Sequence, residues 1–173
     1  MSMKIGAPHI TTRGFSILEA NLAVALTIIS LAGCFAANAN FLAVLKSANQ
    51  GASASQSIQE RVEQMRIANW LQITDSDYLK TTLLSSPTNS ARTLPGCTET
   101  LTVTAYPPPS SGAVGSTQLT SNNGQVTVIS TDPTLKDNAM VKAEWIMSWT
   151  AGSNQSVRSR TGSVLVAKGG IVK

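Results

Sequence analysis

Hydrophobic and polar positions divide this chain into three regimes. From Phe15 to Leu45 apolar side chains dominate, and Leu22–Ala37 contains neither charge nor proline. A helix needs ~20 apolar residues to cross the hydrocarbon core of a bilayer, and Phe15–Ala37 supplies them. From Phe41 to Leu71 there is no proline and one glycine, Gly51. Apolar or small residues recur there at Leu45, Ala48, Ala52, Ser55, Ile58, Val62, Met65 and Ala68, the three-and-four spacing of one helical stripe. Glu60, Glu63 and Arg66 fall on the wetter side, with Glu63 and Arg66 spaced to pair. Phe15–Leu71 as a single helix would extend about 85 Å, and only its inner half fits a bilayer.

The third regime switches period. Residues 72–99 read as a linking region, with turn chemistry in Thr74–Asp77, Ser85–Asn89 and Pro95-Gly96. Alternation of apolar and polar residues then predicts four strands, at Leu101–Tyr106, Gln125–Ser130, Met140–Thr150 and about Ser156–Ala167. In the third, Val141, Ala143, Trp145, Met147 and Trp149 share one face. Lys142, Glu144 and Ser148 share the other, which Ile146 interrupts. The expected fold is α+β: a long N-terminal helix whose outer half packs on a four-stranded antiparallel sheet.

Charge orients this arrangement. Lys4 and Arg13 precede the apolar run, and no other cation follows until Lys46. The positive-inside rule puts the N-terminus in the cytoplasm and the body outside it. Only 13% of the 173 residues are charged, which suits an extracytoplasmic β-rich body. Without Lys4 and Arg13, 11 Lys/Arg face 9 Asp/Glu, so the formal charge of +4 falls to +2. No basic run follows, which argues against nucleic acid as the main partner.

Candidate chemistry is sparse. The single histidine, His9, lies ahead of the apolar run, so a Ser-His-Asp hydrolase lacks its base and a Cys/His metal site lacks its ligands. Phosphate-binding Gly-rich motifs are absent. No enzymatic activity, metal or cofactor is expected. Cys34 sits in the apolar run and Cys97 in the body, so the two should not pair within one chain, and Cys97 is expected to be buried and inert. Asp132 and Asp137 flank a Pro-containing loop and read as a solvated turn. Arg158 and Arg160 alternate on one strand face, where they read as polar sheet surface or as a contact to a neighbour.

Glu19 does not fit a plain anchor. A lone carboxylate in an apolar span costs roughly 2.5–3.5 kcal/mol on insertion scales. The segment Arg13-Gly14-Phe15-Ser16-Ile17-Leu18-Glu19, followed by an unbroken apolar helix, resembles the processing signature of type IV prepilins and pseudopilins. The resemblance implies a leader over residues 1–14, cleaved after Gly14 by a prepilin peptidase, and N-methylation of the new terminus at Phe15. It also implies an assembly role for Glu19, whose carboxylate would meet the α-ammonium of Phe15 in a neighbouring subunit. Asn21 departs from the family pattern, in which that position is usually apolar, and no proline kinks the first helix.

Ser55–Asn69 and Glu144–Val166 are similar, less specifically, to V-type minor pilins and I-type minor pseudopilins. The resemblance implies residues 15–71 as the N-terminal helix, with 15–37 as the membrane span and filament core, and 72–173 as a periplasmic pilin body. The expected role is that of a minor pilin or pseudopilin in a type IV pilus or type II secretion pseudopilus. Its partners would be the peptidase, other pilins, an assembly platform protein with its ATPase, and inner-membrane lipid. Some pseudopilins hold calcium in a body loop, but Asp132 and Asp137 alone make a poor site for it. The alternatives are a membrane-anchored extracytoplasmic binding protein with a chance match to the motif, or a DNA-uptake pilin using Arg158, Arg160, Lys168 and Lys173.

Overall fold

A computed structural model describes residues 16–108, 115–151 and 156–171 of the chain. The proposed leader, Gly14 and Phe15 lie outside the described residues. One helix, α1 (Ile17–Ile67), is followed by α2 (Trp70–Ile73) and α3 (Ser76–Tyr78). Then come strands β1 (Thr98–Ala105), β2 (Ser116–Asn122), β3 (Gln125–Ser130), β4 (Met140–Ala151), β5 (Ser156–Ala167) and the two-residue β6 (Gly170–Ile171). The chain divides into two compact units, one ending at Leu42 and the other running from Ala43 onward.

In the first unit, every side chain from Ser16 to Leu42 is exposed. The helix is long and apolar enough to cross a membrane. Its two hydroxyls are satisfied internally, since Thr27 Oγ1 donates to the Ala23 carbonyl and Ser30 Oγ to that of Leu26, each at 2.8 Å. In hydrocarbon, where no water competes, such back-bonding removes the cost of a bare hydroxyl.

In the second unit the rest of α1 packs on an antiparallel sheet of order β3-β2-β1-β4-β5-β6. The expectation of four strands is corrected to five plus the short β6. The missing strand is β2, whose core-facing positions are Thr117, Leu119 and Ser121, all buried. Only one of the three is apolar, so the alternation that marks a strand is nearly silent. The two polar ones hold neighbouring loops: Ser121 Oγ donates to the Leu84 carbonyl at 3.1 Å, and Thr117 Oγ1 accepts from Asp132 N–H at 3.0 Å. A two-residue turn, Asn123-Gly124, joins β2 to β3. Both residues have positive φ (50° and 86°), the requirement of a type I′ hairpin.

The Trp-bearing face of β4 is buried as the alternation predicts, from Val141 through Trp149. Ile146 points away and is exposed. The helical stripe is rotated from its expected position. Ile58 and Met65 are buried, but Ala48, Ala52 and Ser55 are exposed, and Gln50, Ala54, Ser57 and Arg61 are buried in their place. The helix also stops at Ile67 rather than Leu71. Asn69 caps a new turn: its side chain accepts from Gln72 N–H, and the Gln72 side chain accepts from Asn69 N–H, both at 2.9 Å. Residues 72–97 form more than a linker. Their short helical turns insert Ile73, Leu79, Leu83, Leu84, Ala91 and Leu94 into the core.

Helix and sheet approach closely at β5, where a Cβ on Gly162 would collide with Ile58 Cγ2. Only glycine admits that contact without displacing the helix.

Candidate functional site

Glu19 lies in the first turn of α1, where a carboxylate is favoured by the helix macrodipole. Its N–H donates to Ser16 Oγ at 3.3 Å. Glu19 is exposed and has no cationic partner among the described residues.

The most elaborate polar cluster centres on Arg61, which the periodicity analysis left without a role. Arg61 and Glu99 are both buried. Arg61 Nε donates to Glu99 Oε1 at 2.7 Å and Nη2 to Oε2 at 2.8 Å, a bidentate pair. Nη2 also donates to the Ser86 carbonyl at 2.9 Å, and Nη1 to Gln64 Oε1 at 2.9 Å and to the Leu83 carbonyl. A guanidinium has five N–H donors, and all five are used. The same stretch of α1 holds the loop before β1 by two further contacts. Ser57 and Thr88 hydroxyls bond each other, and Ser90 Oγ donates to Glu60 Oε1 at 2.7 Å. These contacts tie the helix to the 83–91 loop and to β1. Arg61 and Glu99 at its centre are closed to solvent, so the pair acts by holding these elements together.

A legible signal for this pair existed. Glu99 is in period with Leu101 and Val103 on the buried face of β1, and Arg61 is in period with Ala54, Ile58 and Met65. Two opposite charges, each on the buried face of its own element, point to each other. The predicted strand began at Leu101 and so left Glu99 out.

Cys97 is buried and free, as expected. Burial pushes its thiol from 9.0 up to about 11; the Glu99 charge adds to the rise and Arg61 opposes it. A thiol held protonated is a poor nucleophile. Cys34 is free and exposed.

Asp132 caps the turn Pro133–Asp137, accepting from Thr134 N–H at 2.9 Å and Thr134 Oγ1 at 2.7 Å. Among the described residues no three metal-ligating side chains gather. Glu63 and Arg66 form their exposed surface pair at 2.7 Å. Arg158 and Arg160 stand on the helix-facing side of β5, beside a cleft of about 730 Å³ lined by α1 from Ser47 to Ser55 and by Trp149. The Arg160 guanidinium rests over Gly51, with Nη2 3.7 Å from where a Cβ would be.

No protein-family model, curated protein or solved structure matches this chain.

Proposed function

We propose that this chain is a subunit of a type IV pilus or type II secretion pseudopilus, made as a membrane precursor and assembled through its N-terminal helix. The observation that carries this reading is the segment Arg13-Gly14-Phe15…Glu19 placed directly before an apolar helix whose side chains to Leu42 are all exposed. Such a helix needs lipid before assembly and other helices after it. Helix packing removes Glu19 from water as well, and a charge in low dielectric is tolerable only with a partner.

Cleavage after Gly14 creates that partner, the α-ammonium of Phe15, four residues from Glu19 in sequence. Within one helix the terminus and Glu19 lie about a turn apart; between subunits they meet only when the helices are staggered. The pair therefore sets register, and it ties assembly to prior processing, because the uncut chain has an amide where the amine must be. The polar cluster around Arg61 serves this role passively by fixing the body on the outer part of the helix.

Intact mass and N-terminal analysis of membrane-extracted protein from the native host test the reading. A chain beginning at N-methylated Phe15 is the expected result. A chain retaining Met1–Gly14, in cells that process other prepilins, would overturn it and leave a plain membrane anchor.

A further inference from the structure

The outer edge of β5 is open. β6 pairs only with Val166 and Ala167, so among the described residues no strand pairs with that edge from Ser156 to Leu165. An unpaired strand edge is a row of free N–H and C=O groups that can template another strand. Arg158 and Arg160 stand on this strand, both exposed, and neither has a carboxylate within ion-pair distance among the described residues. The cleft residues add no acid: they are small side chains of α1, Trp149, Ser159 and the two arginines.

Edge charges can serve only to prevent aggregation. For that purpose either face of the strand would do. Here both arginines share the helix-facing side, in phase with Gly162, and border the same cleft. Side chains two apart on an added strand would enter that cleft in step with them.

The occupant must be acidic and extended. Pairing β5 with β5 of a second copy would offer the arginines no carboxylate, because β5 carries none. The chain's own closely spaced acids, Asp75 and Asp77, are committed to a helix start: Asp75 caps α3 by accepting from Asp77 N–H at 3.1 Å, and Asp77 lies within α3. We propose that the open edge of β5 and its cleft form a docking site for an extended acidic segment of another protein. That segment adds as a strand, with alternate carboxylates received by Arg158 and Arg160. This inference goes beyond the subunit role above and holds whether or not residues 1–14 are removed.

The test uses the full chain in neutral detergent and a short fluorescein-labelled peptide in which Glu alternates with Thr and Val. Fluorescence anisotropy is expected to show binding. Replacing Glu by Gln in the peptide should weaken it about tenfold or more, as should Arg158→Gln with Arg160→Gln in the protein, because charge-assisted hydrogen bonds are lost. A peptide of equal charge interrupted by prolines, which cannot join a ladder, should also bind about tenfold or more weaker. Hydrogen exchange should slow at the amides of Ser156–Ser163 when the acidic peptide is present. Both arginines are exposed, so an unchanged melting temperature verifies that the variant is folded. Equal binding of the proline peptide would reduce the site to charge attraction and overturn the strand-addition model. Equal binding by the double variant, no binding of the acidic peptide, or binding only of an oligonucleotide or of anionic vesicles would each overturn the proposal.

Discussion

Removing the Arg61 side chain should cost this protein more stability than any other single polar substitution described here. Arg61→Met keeps most of the aliphatic stem and deletes the guanidinium. It leaves Glu99, only 4% exposed, as a buried carboxylate with no counter-charge. It also strips the Leu83 and Ser86 carbonyls and Gln64 of their donor. Breaking a buried ion pair from one side costs about 3–5 kcal/mol; the Ser86 carbonyl belongs to an exposed residue and can turn to water, while the buried Leu83 carbonyl places the loss toward the upper end of that range. For a body of this size about 1 kcal/mol moves the midpoint by roughly 3–5 °C. A fall of roughly 10–20 °C is therefore expected, read as loss of tryptophan fluorescence on heating the full chain in detergent.

Two companions identify the cause. Arg61→Lys keeps the charge but not the fork and should recover less than half of the loss. Arg61→Met combined with Glu99→Leu should lose less than the sum of the two single changes, because the stranded charge is gone. A loss below about 1 kcal/mol for Arg61→Met, a value typical of exposed pairs, would refute the account of a desolvated, five-bond guanidinium.

Other outcomes follow from the same structure. Gly162→Ala should destabilise by about 1–3 kcal/mol through its collision with Ile58, and adding Ile58→Ala should cost less than that change does alone; additive melting shifts would refute the contact. Burial holds Cys97 protonated with a raised pKa of about 11 against 9.0. Its contribution is then fully present below pH ~9 and lost as pH climbs toward ~11, so the stability difference between the native chain and Cys97→Ala should shrink by about 1–3 kcal/mol across that window. A flat difference in alkaline urea titrations would contradict it. Glu19→Ala should still insert in the membrane but enter filaments at least about tenfold less, measured by immunoblot of sheared filaments against membranes; normal incorporation would remove Glu19 from assembly.

Where a strong local pattern coincided with a burial boundary, sequence alone determined the element. The apolar run gave a helix able to span a membrane, and the alternation of Val141–Trp149, broken only at Ile146, gave the central strand and its buried face. β5 and β3 were legible from strand-forming residues bounded by turns, although both are largely exposed. The segment Arg13–Glu19, on which the proposed processing rests, consists of adjacent residues and is read without a fold.

The tertiary structure decided what depends on a partner distant in the chain. β2 has a polar inner face that becomes buried only because loops bring a carbonyl and an N–H to Ser121 and Thr117. The Asn123-Gly124 turn was its one local signal. The helical stripe rotated because its boundary residues are small or polar, so hydropathy could not choose between Ala52 and Ala54, whereas close approach at Gly162 could. Arg61 is spaced to join Ile58 and Met65, but only Glu99 placed opposite it allows its charge to be buried. A buried charge is affordable only in a pair, and 38 positions separate the two. Helical and strand periods specify which face each element offers; only packing specifies which faces meet.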